Sequence, residues 1–391
     1  MGEILKILVP AFLGVVVVFW LLPIRFRFGF LALASFLGIA YLDAIGSVRL
    51  LAIATVVYLV AGRGWFGWSH RYTPVVLIGL IIAHLCYFKY LPNLIAGVGF
   101  ESLVGEVAVP LGISYFSFKL VHFVIEARRQ GFEKLSFQQF SCFIYLFPIF
   151  TAGPIERYDH FIANQAERLQ GADIYEGITR IAYGLIKKFI FAGFISSNLH
   201  QADYLAKYSE LLEYTSAAEL WAIAALTYLY VYFDFSGYCD MAIGASRLFG
   251  IRISENFCWP IAATSIVDFW QRWHISLRAW CQSYVYLPVI AIFRAPYLAV
   301  FLTFITMGLW HAGSWNYVFW GIYHAAGVAA YQKWCRMPVR KKVCSKNSLT
   351  GQIIGIIATN GFICGSHILS THSSVSATER IRILSKMFFF I

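Results

Sequence analysis

Long apolar runs recur along this chain with almost no charge inside them. Ile7–Leu22 holds no charged side chain at all. An apolar helix crosses the hydrocarbon core of a bilayer in about 20 residues. Runs near that length, or somewhat shorter, lie at Ile4–Leu22, Phe28–Gly46, Pro74–Ile95, Val107–Ile125, Ser141–Gly153, Ile178–Ile195, Leu220–Phe235, Tyr297–Leu309, Trp315–Tyr331 and Gln352–Ile368. Leu50–Ala61 and Tyr284–Phe293 are apolar but short, which suits tilted, re-entrant or interfacial pieces. The pattern predicts an all-α polytopic transmembrane helical bundle of about ten to twelve segments. It reads as a single integral membrane domain over residues 1–391, with no linker and no internal repeat.

Composition excludes the alternatives. Charged residues make up 13% of the chain, against roughly 25% in soluble domains, so a water-soluble enzyme or nucleic-acid module is ruled out. Disorder is ruled out by 59% hydrophobic content. The excess of 31 Lys+Arg over 20 Asp+Glu fits cytoplasmic loops under the positive-inside rule and implies no nucleic-acid partner. Basic clusters at Arg25/Arg27, Arg63/Arg71, Arg128/Arg129/Lys134, Lys187/Lys188 and Arg336–Lys346 all fall between apolar runs. The first and last suggest an external N-terminus and a cytoplasmic Arg336–Lys346 segment. The first run lacks a basic leader and a small-residue cleavage site, so it is expected to be retained as a helix. Eight cysteines without a CxxC pair read as small buried hydrophobes, with no disulfide framework and no metal site indicated.

Ionisable residues inside such runs need partners or water, and five stretches carry them. Lys119, His122 and Glu126 share one helix face, either as a self-neutralising packed stripe or as the wall of a hydrated cavity. Phe147–Arg157 contains Pro148, Gly153 and Pro154 and is either a helix end or broken backbone lining protein. Asp234 and Asp240 flank Ser236-Gly237; a structural role competes with a metal pair, which would need more oxygen ligands. Val267–Arg278 pairs Asp268 with Arg272 and Trp270 with His274 at helical spacing. Thr306–Gly321 places His311 between apolar runs, with His324 beyond it reading as structural. His70, His160, His200, His367 and His372 lie in polar or terminal stretches and carry no chemical signal.

The order of these stretches resembles the membrane-bound O-acyltransferase family, in the bacterial branch that acetylates alginate or transfers D-alanine to teichoic acid. The resemblance rests on PLGISYFSF (Pro110–Phe118), AGPIER (Ala152–Arg157), YFDFSGYCDMAIG (Tyr232–Gly244), ENF (Glu255–Phe257), DFWQRWHISL (Asp268–Leu277) and LWHAGSWNYVFWG (Leu309–Gly321). The chain departs from the pattern at Ala312, where many members carry Gly, and at Cys239, where Ser is usual. The motif-bearing core runs over about residues 105–335.

The resemblance implies an essential His311 and a second functional position at His274. It implies an acyl thioester donor, acetyl-CoA or an acyl-carrier phosphopantetheine arm, with no bound cofactor. It further implies, as acceptor, a hydroxyl of an exported polysaccharide or a periplasmic acyltransferase partner, and a location in a bacterial inner membrane. Imidazole titrates near working pH, so His311 suits the general base. Trp273, His274 and Asn316 are candidate N–H donors to the oxyanion, and Asp268 and Arg272 would steady that segment. An acyl-enzyme on Ser276 or Ser314 is the other route. This reading expects a buried His311 reached by water from both faces. D-alanyl transfer, or a non-enzymatic transporter, are the rival functions.

Overall fold

The computed structural model describes residues 2–65, 71–92, 95, 108–129, 135–199, 212–337, 348–370 and 375–389. His70, His200, His372, Lys134, Cys344, most of Arg336–Lys346 and most of the expected polar loop Ser196–Thr215 lie outside the described residues.

The described residues are helical, with the isolated bridge Gln165–Ile251 in place of any strand. In chain order the helices are α1 (Gly2–Leu21), α2 (Ile24–Leu42), α3 (Ala44–Val57), α4 (Thr73–Lys89), α5 (Ile113–Arg129), α6 (Phe137–Tyr145), α7 (Tyr158–Ala163), α8 (Gly171–Leu185) and α9 (Gly193–Leu199). They continue as α10 (Ala217–Leu248), α11 (Ile266–Arg272), α12 (Ile275–Cys281), α13 (Leu287–Phe293), α14 (Pro296–His311), α15 (Trp315–Arg336), α16 (Leu349–Ser370) and α17 (Ala377–Phe389). Wider π turns link α3 onward at Tyr58–Gly62, α8 to α9 at Ile186–Ala192 and α12 to α13 at Gln282–Tyr286.

Three described helices are long and apolar enough to cross a membrane by length and composition: Ile24–Leu42, Ala44–Gly62 and Leu349–Ser370. Leu50–Ala61, expected as a short piece, belongs to the second of these. Val9–Leu21, Thr73–Lys89, Phe137–Ile149 and Pro296–His311 are apolar but shorter. Ser141–Gly153 is not the single span its hydropathy suggested. Helix α6 stops at Tyr145, a 3₁₀ turn covers Phe147–Ile149, and the chain runs on without helix to Arg157. Pro148 and Pro154 cannot donate to a helical ladder. The irregular backbone is tolerated because Phe150, Ile155 and Glu156 are buried in protein.

Contacts divide the chain into two units, Met1–Tyr183 with Cys239–Ser254, and Gly184–Tyr238 with Glu255–Ile391. In the first unit, Phe19 of α1 packs edge-on against Phe249 with ring centroids 5.4 Å apart, and Trp20 Nε1 donates to the Leu248 carbonyl at 2.8 Å. The α5 stripe is buried, and it finds partners beyond itself. Lys119 Nζ donates to the Phe143 carbonyl at 3.0 Å. His122 Nε2 accepts from the Tyr158 backbone N–H at 2.9 Å, and Glu126 pairs with Arg129 at 3.3 Å. This favours packing over a hydrated wall.

Glu156 of AGPIER is a buried hub. Its carboxylate accepts from the Ser254 backbone N–H (2.7 Å), from Ser254 Oγ (3.1 Å) and from the Arg157 backbone N–H (2.9 Å). His160 Nδ1 lies 2.9 Å from the same carboxylate, so His160 has a defined partner, contrary to its featureless sequence context. Helices α8 and α10 are bridged in this unit by Asp173–Arg247 (3.1 Å), Glu176–Arg247 (2.9 Å) and Arg180–Asp240 (2.8 Å). In the second unit Lys188 pairs with Asp234. The two carboxylates weighed as a metal pair are therefore committed to separate cations.

In the second unit, the Asn360 side chain of α16 donates to the Ile261 carbonyl at 2.9 Å. Arg380 of α17 is fully buried and donates to the Ile368 and Val375 carbonyls at 2.6 and 3.1 Å, closing the end of α16.

Candidate active site

Two elements of the second unit carry the candidate residues. The first is the α14–α15 hairpin. Pro296 opens α14, where a missing N–H costs nothing. Thr303 Oγ1 donates back to the Ala299 carbonyl at 2.7 Å, so its hydroxyl is satisfied within the helix. The helix ends at His311 because Ala312 is extended, and Ser314, also extended, opens α15. The two helices touch through backbone. A Cβ on Gly308 would sit 2.2 Å from the Tyr317 carbonyl oxygen, and one on Gly321 would sit 2.6 Å from that of Phe304. Any larger residue would push the helices apart.

This contact fixes the His311 ring. It stacks on Tyr317 with centroids 5.5 Å apart and planes 19° apart. It also meets the edges of Trp310 at 5.0 Å and Trp320 at 5.5 Å. His311 is exposed, which corrects the expectation of a buried ring: its helix ends at that residue, so the imidazole projects from a terminus.

The second element is the segment from Glu255 to Cys281. Helix α11 is capped by Ser265 Oγ, which accepts from the Asp268 backbone N–H at 3.1 Å. It ends at Arg272, and His274 adopts a left-handed backbone with φ 44°. The expected helical pairing of Trp270 with His274 is therefore broken. Such a conformation is uncommon for a residue with a Cβ and marks a place where surrounding bonds dictate the backbone. Those bonds come from Asn256, which is fully buried. Its backbone carbonyl accepts from the Ile275 N–H at 3.0 Å. Its Oδ1 accepts from Ser276 N at 3.1 Å and Ser276 Oγ at 2.9 Å, and lies 3.3 Å from His274 Nδ1. Buried His274 meets Phe235 at 4.8 Å and Trp310 at 5.7 Å.

The two imidazoles come together, with centroids 6.5 Å apart and planes inclined by 68°. The other sequence candidates sort differently. Trp273 is stacked on Phe269 at 5.5 Å and meets Phe257 at 5.0 Å, inside an aromatic cluster. Arg272 Nε donates to Asp268 at 2.7 Å, Asp268 accepts from the Thr264 backbone N–H at 2.9 Å, and the Arg272 carbonyl accepts from the Cys258 N–H at 2.9 Å while its Nη1 donates to the Cys258 carbonyl at 3.4 Å. That pair clips a loop and makes no hydrogen bond to either imidazole among the described residues. Asn316 is half-buried in the first turn of α15 and makes no hydrogen bond among the described residues. His324 is enclosed by Trp270, Trp320, Phe304 and Phe362, with centroids at 5.1, 4.5, 5.9 and 5.6 Å. His367, expected to be featureless, is stacked on Tyr228 at 5.6 Å.

Asn256 was missed by sequence reasoning. Its one signal was an amide inside the ENF motif, ahead of an aromatic stretch. A cleft of about 380 Å³ lies between α15, α16 and the turn at Thr264–Ile266, with Tyr331, Trp334 and Gln352 on its walls, and neither imidazole lines it.

The family model for the membrane-bound O-acyltransferase family (MBOAT) matches residues 66–375. The probable alginate O-acetylase AlgI of Pseudomonas aeruginosa is 31% identical over 344 residues, covering 83% of this chain and 64% of that protein. The teichoic acid D-alanyltransferase of Bacillus subtilis is 32% identical over 284 residues, covering 66% of this chain and 68% of that protein. The peptidoglycan O-acetyltransferase of Helicobacter pylori is 30% identical over 299 residues, covering 66% of this chain and 55% of that protein. This chain thus spans just under two thirds of the Pseudomonas aeruginosa relative's length. A helical chain with several apolar helices, matched by the family model over most of its length, belongs to the membrane-bound O-acyltransferase family.

Proposed function

We propose that this protein is a multi-pass inner-membrane O-acyltransferase. It moves an acyl group, acetyl in our reading, from a cytoplasmic thioester to a hydroxyl of an exported polysaccharide or to a periplasmic partner. The observation that carries the proposal is the pair of imidazoles, one exposed at the end of a backbone-locked hairpin and one buried beside it. The alginate O-acetylases that resemble the chain over 83% of its length support acetyl. The D-alanyltransferase likeness, over 66% of the chain, supports D-alanyl as the second reading.

In this mechanism His311 takes the proton from the acceptor hydroxyl as its oxygen attacks the thioester carbonyl carbon. The tetrahedral intermediate collapses, the C–S bond breaks, and the proton passes from the imidazolium to the departing thiolate. General base catalysis of this kind contributes about 10²–10⁴-fold. Trp273 and Asn316 are the candidate N–H donors to the oxyanion, and the Asp268–Arg272 pair steadies the segment that carries His274. The test is mass analysis of the cell-surface polymer from cells carrying the wild type or His311→Ala at equal membrane level. Loss of acyl groups supports the reading, and their mass separates acetyl from D-alanyl. Unchanged acylation would leave a transporter or an assembly subunit in its place.

A further inference from the structure

We propose that Asn256 is a positioning residue that fixes the tautomer of His274, holding the proton on Nδ1 and leaving Nε2 as a proton acceptor beside His311. The role in catalysis rests on the acyltransferase reading; the tautomer does not.

A backbone N–H can only donate, so the Asn256 side-chain atom 3.1 Å from Ser276 N is its oxygen. The usual ambiguity of an amide's two ends is removed by that contact. Ser276 Oγ lies 2.9 Å from the same oxygen and gives its hydrogen to it. His274 Nδ1 lies 3.3 Å from it as well. Two acceptors cannot share a hydrogen bond, so Nδ1 carries the hydrogen. In a neutral imidazole the lone pair is then on Nε2.

That second nitrogen is buried and has no hydrogen-bond partner among the described residues. Of the ring's neighbours, Phe235 offers no polar atom, which leaves the indole of Trp310 and the imidazole of His311. His311, at the end of α14, is the titratable group facing the ring. Asn256, Ser276, Phe235 and Trp310 are uncharged. A base oriented by a fixed third group is the arrangement that activates nucleophiles in acyl transfer. Here the orienting group is an amide, and the left-handed backbone at His274 lets the ring reach it. One expectation changes as a result. His274 was a candidate N–H donor to the oxyanion, but its one hydrogen in the neutral form is turned toward Asn256.

The test uses the full chain in lipid nanodiscs with ¹⁵N-labelled histidine, the His274 signals being assigned by their loss in His274→Gln. NMR of the wild type is expected to show a protonated Nδ1 and a bare Nε2. Asn256→Asp keeps the acceptor and adds a charge, so the imidazolium persists to higher pH, and the rising limb of the pH–rate profile moves up by about one unit or more. Asn256→Leu removes the clamp, and transfer falls about 100-fold with donor KM unchanged. A proton on Nε2 in the wild type overturns the proposal, as does an unmoved pH profile in Asn256→Asp. Should Asn256→Leu fail to fold, the wild-type spectrum still decides. If the tautomer is as stated while neither His274→Gln nor His311→Ala alters transfer, the clamp stands and the acyltransferase reading falls.

Discussion

The two histidine-bearing regions of the second unit are held by opposite means. His311 sits on a helical hairpin closed by bare backbone, with Gly308 and Gly321 removing the side chains that would separate the helices. His274 sits on irregular chain closed by polar bonds that converge on one buried amide. The first design fixes a helix end and leaves the ring accessible. The second fixes the ring and denies it access. Accessibility and orientation are thus supplied by different residues, and each can be disturbed without the other.

The largest effect is expected at the accessible ring. His311→Ala should lower acyl transfer about 10³-fold at unchanged membrane level, while loss of its ring contacts with Tyr317, Trp310 and Trp320 should cost the melt only about 1 kcal/mol. Next comes the hairpin itself. Gly321→Val must displace the Phe304 carbonyl, and a thermal melt in detergent should show a loss of about 3 kcal/mol. Asn256→Ala strands the Ser276 N–H and His274 Nδ1–H in a buried site, and the same melt should read about 2 kcal/mol. At His274 the backbone can be tested apart from the ring. Asn tolerates the left-handed region and Val does not, so His274→Val should melt lower than His274→Asn by about 1–2 kcal/mol.

The smallest effect lies outside both regions. The Glu156 carboxylate 2.9 Å away raises the pKa of His160 above the ordinary imidazole value, with burial opposing it. The raised value means that this stabilisation is complete below about pH 6.5 and fades as pH rises through the folded-state value. The ring is 38% exposed, so solvent screens it and the amount should stay below about 1 kcal/mol. His160→Gln should flatten the pH dependence of the melting temperature above pH 6; an unaltered slope would count against the pairing.

Much of this was legible in the residues. Scarcity of charge gave the helical membrane class, and the tryptophan-rich motifs marked both histidines. The spacing of Asp268 and Arg272 correctly anticipated their bond. What was hidden depended on contacts between distant segments. Periodicity places Trp270 and His274 on one face, but it cannot see that Asn256 pulls the chain out of helix at His274. Hydropathy gives Ser141–Gly153 the look of a span, but Pro148 and Pro154 outweigh it. His311 looked buried because its flanks are apolar; the helix end that exposes it is set by the extended backbone at Ala312.

The ion pairs joining α8 to α10 have a further consequence. Asp173 and Arg180 are one heptad apart on α8, as are Arg247 and Asp240 on α10, and the signs alternate along each helix. A slip of two turns, about 10 Å, is the next offset at which these side chains could meet again. It would set Asp173 against Asp240, or Arg180 against Arg247. Against that slip the native alignment is protected by like-charge repulsion, as well as by the attraction within it.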